Sequence, residues 1–195
     1  VLPYLEEIDE SVEAIGSCNT IRRIDPDERH ARWEGTNTDA PGFLEAVREL
    51  VQRDFSDISA TVVGAGGTAR AVVYALCRAG SDVLVVNRTE ARARLLAEKF
   101  GCSSGALSPD TLDEIRRHAD LIVQTTSVGM SPEPENDPLE FYEFEGHEAV
   151  FDPIYSPEET KMLSRARAAG CGVENGRRML YEQAYIQYRL FTGCD

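Results

Sequence analysis

The chain has 195 residues, 42% hydrophobic and 28% charged, enough apolar material to bury one large or two small globular cores. Lys and Arg number 20 against 34 Asp and Glu, and the resulting net charge of -14 argues against a charge-driven grip on nucleic acid or an anionic membrane, leaving small molecules as the expected partners. No apolar run approaches the ~20 residues that a spanning helix needs and no charged-then-apolar leader opens the sequence, so a cytoplasmic protein is expected.

The chain opens on Val1-Leu2-Pro3-Tyr4-Leu5 without an initiator Met, and the spacing of Leu2, Leu5, Ile8, Val12 and Ile15 predicts a helix already under way, as in a fragment of a longer protein. After Gly16, a β-branched run through Thr20, Ile21 and Ile24, a polar turn at Asp25-Pro26-Asp27-Glu28 and a second run through Trp33 predict a strand pair. Thr36-Asn37-Thr38-Asp39 supplies side-chain oxygens to cap a helix carrying Phe43, Leu44, Val47, Leu50 and Val51. From about residue 59 strands and helices alternate. Strands are predicted at 60–63, 83–86, 121–124, 149–151 and 171–173, and helices near 68–79, 91–100, 111–118, 160–169 and 178–191. Near-continuous apolar strands between helices indicate an α/β fold, a Rossmann-like parallel sheet covered on both faces. The proline-rich stretch from Ser131 to Pro138 reads as a loop.

Cys18, Cys77, Cys102, Cys171 and Cys194 are odd in number and contain no C-x-x-C pair, which fits neither a disulfide framework nor a zinc site; reduced, mostly buried thiols are expected. His30, His118 and His147 lie far apart without metal-ligand spacing, so they read as separate surface residues and no metal is expected.

Gly64-Ala65-Gly66-Gly67-Thr68-Ala69 sits between a predicted strand and a predicted helix, as a dinucleotide-binding turn requires. There the first glycine permits the tight turn, the second lets the backbone approach a diphosphate, and Ala69 takes the small position where helix and strand pack. Free amides at the helix start would face the diphosphate. A plain glycine turn is the alternative. At the next strand end, Asn87-Arg88-Thr89 lacks the acid that holds the ribose hydroxyls of NAD, and the Arg88 guanidinium suits the 2'-phosphate of NADP. By itself Arg88 could equally be a surface residue, just as Asp39 could be a helix cap and Gln183 an exposed glutamine.

Together these segments resemble the shikimate dehydrogenase family over the whole chain. Gly16-Ser17-Cys18-Asn19-Thr20 resembles the family's G-A-V-N-T, Gly35 to Asp39 its G-x-N-T-D, and Gly64 to Thr68 its G-A-G-G-A. Asn87-Arg88-Thr89 matches N-R-T, and Gly176, Met179, Leu180, Gln183 and Ala184 match G-x-x-M-L-x-x-Q-A; Thr126 to Met130 and Asp152 to Tyr155 resemble further family segments. The resemblance implies a partial substrate domain at 1–40, itself the remnant of a smaller α/β domain, an NADP-binding Rossmann domain at 41–176, and a C-terminal helix at 177–195 returning to the substrate domain. It implies that Asn19, Asp39 and Gln183, with Tyr155 nearby, hold the hydroxyls of shikimate, and that Asp39 is catalytic. Gly64, Ala65, Gly66, Gly67, Thr68, Asn87, Arg88, Thr89 and Arg92 would hold NADP, with Thr126, Ser127 and Gly176 bordering its nicotinamide end. The implied reaction is reversible reduction of 3-dehydroshikimate by NADPH in aromatic amino-acid biosynthesis, in a chain that could pair as a homodimer. In the family a lysine in a V-T-x-P-x-K segment pairs with the aspartate. That segment has no match in these 195 residues, nor has the serine pair that grips the substrate carboxylate, so a truncated or fused enzyme is expected whose isolated chain binds NADP but turns over poorly. A noncatalytic NADP-binding module and a quinate-type dehydrogenase are the alternatives.

Overall fold

The computed structural model describes residues 2–24 and 32–194; the turn expected at Asp25 to Glu28, and His30, lie outside the described residues. The first helix begins later than the apolar spacing predicts. Leu2–Tyr4 is a single 3-10 turn, and Glu7–Ile8 (β1) is a short strand that pairs in parallel with Trp33–Thr36 (β3). Helix α1 then covers only Glu10–Ile15, because Asp9 stays extended and accepts the Val12 amide at 2.8 Å, while Gly16 ends the helix at φ 78°. The predicted strand pair is present: Thr20–Arg23 (β2) runs antiparallel to β3, giving a three-stranded sheet in the order β1-β3-β2.

Helix α2 (Asp39–Val51) links this small sheet to the larger one. The larger sheet is six-stranded and wholly parallel. Its strands are β4 (Ser59–Val63), β5 (Asp82–Asn87), β6 (Ser103–Ala106), β7 (Leu121–Gln124), β8 (Ala149–Asp152) and β9 (Gly172–Asn175). The order β6-β5-β4-β7-β8-β9 is that of a doubly wound nucleotide fold, reversing direction between β4 and β7. Helices α3 (Gly67–Arg78), α4 (Glu90–Phe100), α5 (Leu112–Arg117), α6 (Lys161–Ala169) and α7 (Gly176–Thr192) complete the fold.

Alternate residues of each strand feed two separate cores, as a sheet covered on both faces requires. Val62, Val85, Val123 and Phe151 face α2 and α3, whereas Val63, Leu84, Ile122 and Val150 face α5 and α6. No regular helix connects β7 to β8; the buried side chains of Leu139 and Tyr142 fill that part of the second core. The thiols are less buried than expected: Cys171 is buried, Cys18, Cys77 and Cys102 are half-buried, and Cys194 is exposed, because all five sit in loops or at element ends rather than on inward strand faces. Among the described residues no cluster of metal-ligating side chains occurs and no helix is long and apolar enough to cross a membrane.

Candidate active site

The glycine loop leaves β4 at the point where strand order reverses, where open α/β sheets bind ligands. Gly64 has φ 116°, and a Cβ there would lie 2.5 Å from the Thr125 Oγ1 that follows β7, so only glycine lets the two strand ends approach. A Cβ on Gly66 or Gly67 would meet nothing within 4 Å. That open face lies at the start of α3, whose N-cap residue, Gly66, supplies no side-chain cap. Unengaged helix-start amides behind an open backbone face are the geometry a diphosphate needs. At the end of β5, Asn87 spends its amide on the Thr89 carbonyl at 2.9 Å, shaping the turn. Arg88 and Arg92 are exposed, and neither forms an ion pair among the described residues.

The second cluster gathers three distant segments. The Asn19 amide donates to Asp39 Oδ1 at 2.9 Å, to Thr38 Oγ1 at 3.0 Å and to Gln183 Oε1 at 3.3 Å. Helix α7 comes close enough because α2 has Gly42, where a Cβ would lie 3.0 Å from the Gln183 backbone nitrogen. Asp39 does not cap α2. Asn37 does so instead, accepting the amides of Asp39 at 3.1 Å and Ala40 at 3.4 Å, which leaves the Asp39 carboxylate to accept from Asn19. Burial raises the Asp39 pKa above the usual carboxylate range, with the Asn19 hydrogen bond opposing it. The Arg70 side chain, from the first turn of α3, reaches toward the segment that leads to Asn19: a Cβ on Gly16 would lie 3.8 Å from one of its guanidinium nitrogens.

A family model described as shikimate / quinate 5-dehydrogenase matches residues 45–133. The shikimate dehydrogenase (NADP(+)) of Bacillus licheniformis is 36% identical over 196 residues, covering all of this chain and 69% of that protein. The chain belongs to the shikimate dehydrogenase family. Among solved structures, shikimate 5-dehydrogenase from Thermus thermophilus in complex with NADP(H) and shikimate superposes with a TM-score of 0.78 at 37% identity, over 99% of this chain and 69% of that one. Quinate dehydrogenase from Corynebacterium glutamicum in complex with NAD gives 0.87 at 31% identity, over 100% and 69%.

As a shikimate dehydrogenase family member the chain shows further built parts around the crevice. Gly176 starts α7 in direct contact with the loop after β8: a Cβ there would overlap the Pro153 carbonyl, whose oxygen would lie only 1.8 Å away. Tyr155, in that same loop, is 51% exposed and forms no hydrogen bond among the described residues, so the structure does not join it to Asn19, Asp39 and Gln183. The turn from Thr126 to Val128, which contains Ser127, is held by Gln124, a residue that no sequence motif singles out. Its buried amide donates to the carbonyls of Thr126 and Val128, both at 3.1 Å, and accepts the Thr126 amide. Asp152 is likewise fully buried; it accepts from Ile154 N at 3.0 Å and Thr160 Oγ1 at 2.8 Å, yet desolvation still pushes its pKa up to about 6. The signal available in the sequence was a polar residue ending an apolar strand, Gln124 after Val123 and Asp152 after Phe151.

Proposed function

We propose that this chain is the NADP-binding part, and a portion of the substrate-binding part, of an enzyme that carries out NADP-dependent, reversible reduction of 3-dehydroshikimate to shikimate, with the substrate held by Asn19, Asp39 and Gln183. The observation that carries this reading is their convergence in one hydrogen-bonded cluster. We divide the chain into a substrate part at 1–40, a nucleotide part at 41–176 and a returning helix at 177–195. Gly64 to Thr68 and the start of α3 would take the diphosphate, Asn87, Arg88, Thr89 and Arg92 the adenosine 2'-phosphate, and Thr126, Ser127 and Gly176 the nicotinamide end. The open face at Gly66 and Gly67 and the unpaired guanidinium of Arg88 fit those roles. When bound, the nicotinamide supplies or takes up a hydride.

The protein's own part is orientation and proton management. Asn19 and Gln183 present carboxamides that can each both donate to and accept from a vicinal hydroxyl. Asp39 is the titratable member of the cluster, and its raised pKa makes the carboxylate a better acceptor for a hydroxyl proton than a solvent-exposed aspartate. Tyr155 flanks the mouth of this cleft in our reading. Five free thiols suit a reducing compartment such as the cytoplasm.

The test is steady-state oxidation of shikimate and quinate, with NADP and with NAD, by the full-length enzyme. Shikimate with NADP should give the highest kcat/KM. Preference for quinate with NAD would move the chain toward the Corynebacterium type of dehydrogenase, and tight NADP binding without turnover of either acid would make it a binding module.

A further inference from the structure

Asn19 is exposed, yet its carboxamide is held in one orientation, and the groups that hold it are buried behind it. Its Oδ1 accepts from the Thr38 amide at 2.9 Å and from Thr20 Oγ1 at 2.9 Å. A backbone N–H can only donate, so Oδ1 must face Thr38 and Nδ2 must face outward toward Asp39 and Gln183. The Thr38 hydroxyl completes the lock. It is fully buried, and it accepts from Asn19 Nδ2 at 3.0 Å and from Gln187 Nε2 at 3.3 Å. With both lone pairs occupied, its single proton is left for Asn19 Oδ1, 3.2 Å away.

We propose that Thr38 and Gln187 are positioning residues for the Asn19 carboxamide: Gln187 of α7 fixes the Thr38 hydroxyl, and Thr38 fixes which face of Asn19 meets Asp39, Gln183 and a substrate hydroxyl. Neither residue needs to touch substrate. Gln187 lies one helical turn beyond Gln183, so the same helix face that delivers a substrate ligand also delivers its support. The consequence for substrate recognition rests on the function proposed above, whereas the orientation of Asn19 does not.

The experiment therefore has two arms on the full-length enzyme. The first compares kcat/KM for shikimate in Thr38→Val, Thr38→Ser and Gln187→Leu. Losing one orienting hydrogen bond should cost about tenfold in Thr38→Val and a few-fold in Gln187→Leu, with NADP affinity unchanged and Thr38→Ser restoring most of the loss. The second reads the Asn19 side-chain amide protons by NMR without substrate. They should be distinct and slowly exchanging in the native enzyme and Thr38→Ser, and averaged or fast in Thr38→Val and Gln187→Leu. An unperturbed Asn19 signal in both of those variants, or undiminished kcat/KM together with native turnover, overturns the proposal. If the native enzyme fails to oxidise shikimate, the functional reading falls while the NMR arm still decides the positioning claim. Should Thr38→Val not fold, Gln187→Leu on the half-exposed helix face decides both arms.

Discussion

Replacing Gly176 by Ala tests whether the contact between α7 and the β8 loop is as tight as the backbone geometry requires. The added carbon would sit 1.8 Å from the Pro153 carbonyl oxygen, 2.4 Å from its carbon and 2.9 Å from Cα, all backbone atoms that no rotamer change can move aside. Either the start of α7 or the Pro153 peptide must retreat by more than about 1 Å before the overlap ends. Gly176 also donates to the Ile154 carbonyl at 3.4 Å, a bond that such a retreat would break. Overpacking of this kind costs about 3 kcal/mol, which for a chain this size lowers the thermal midpoint by roughly 6 to 12 °C. Urea unfolding should show the midpoint falling with the m-value held, since the surface exposed on unfolding is unchanged. Gly67→Ala is the matched control, because a Cβ there meets nothing within 4 Å; it should fold as the native chain does but bind NADP at least tenfold more weakly. A Gly176→Ala chain with native stability would refute the close-contact argument.

Arg88→Ala should lower affinity for NADP by roughly ten- to a hundredfold while leaving NAD nearly unchanged, as titration of both cofactors will reveal; an unaltered ratio would make Arg88 a plain surface residue. Asp39→Asn in the full-length enzyme should abolish most turnover at native stability, whereas Asn37→Ala should cost about 1 to 2 kcal/mol in urea unfolding, since Asn37 is the residue capping α2. Glu148 is buried and receives the amides of Glu145, Gly146 and His147 together with the Tyr142 hydroxyl. Despite desolvation, these bonds hold its pKa below the ordinary 4.5. Glu148→Gln should therefore destabilise by about 2 to 4 kcal/mol at pH 7. Because the folded value is depressed, the native advantage is complete above 4.5 and is lost as pH falls through the folded value, so the gap between the two urea midpoints should narrow on acidification. A gap that stays constant with pH would show that the charge contributes nothing.

Local pattern was enough to place most strands and helices of the nucleotide half and to nominate its glycine turn. Glycines between an apolar strand and a helix are legible within a few residues because backbone freedom acts at short range, whereas the basic end of the next strand was by itself ambiguous. The strand ends at Gln124 and Asp152 were visible as polar breaks, but their work on the neighbouring loops was not. Weakly apolar edges were also hidden: Glu7–Ile8 and Ser103–Ala106 are strands only because β3 and β5 offer them hydrogen bonds. The cap of α2 was ambiguous by sequence, since Asn and Asp cap almost equally well, and only the fold gives the capping bonds to Asn37 and pairs Asp39 with Asn19. The family motifs nominated Asn19 and Gln183, but no local rule brings together side chains 164 positions apart. That meeting is decided by how α7 packs on α2 at Gly42, a contact whose energy comes from burial and shape rather than from either segment alone.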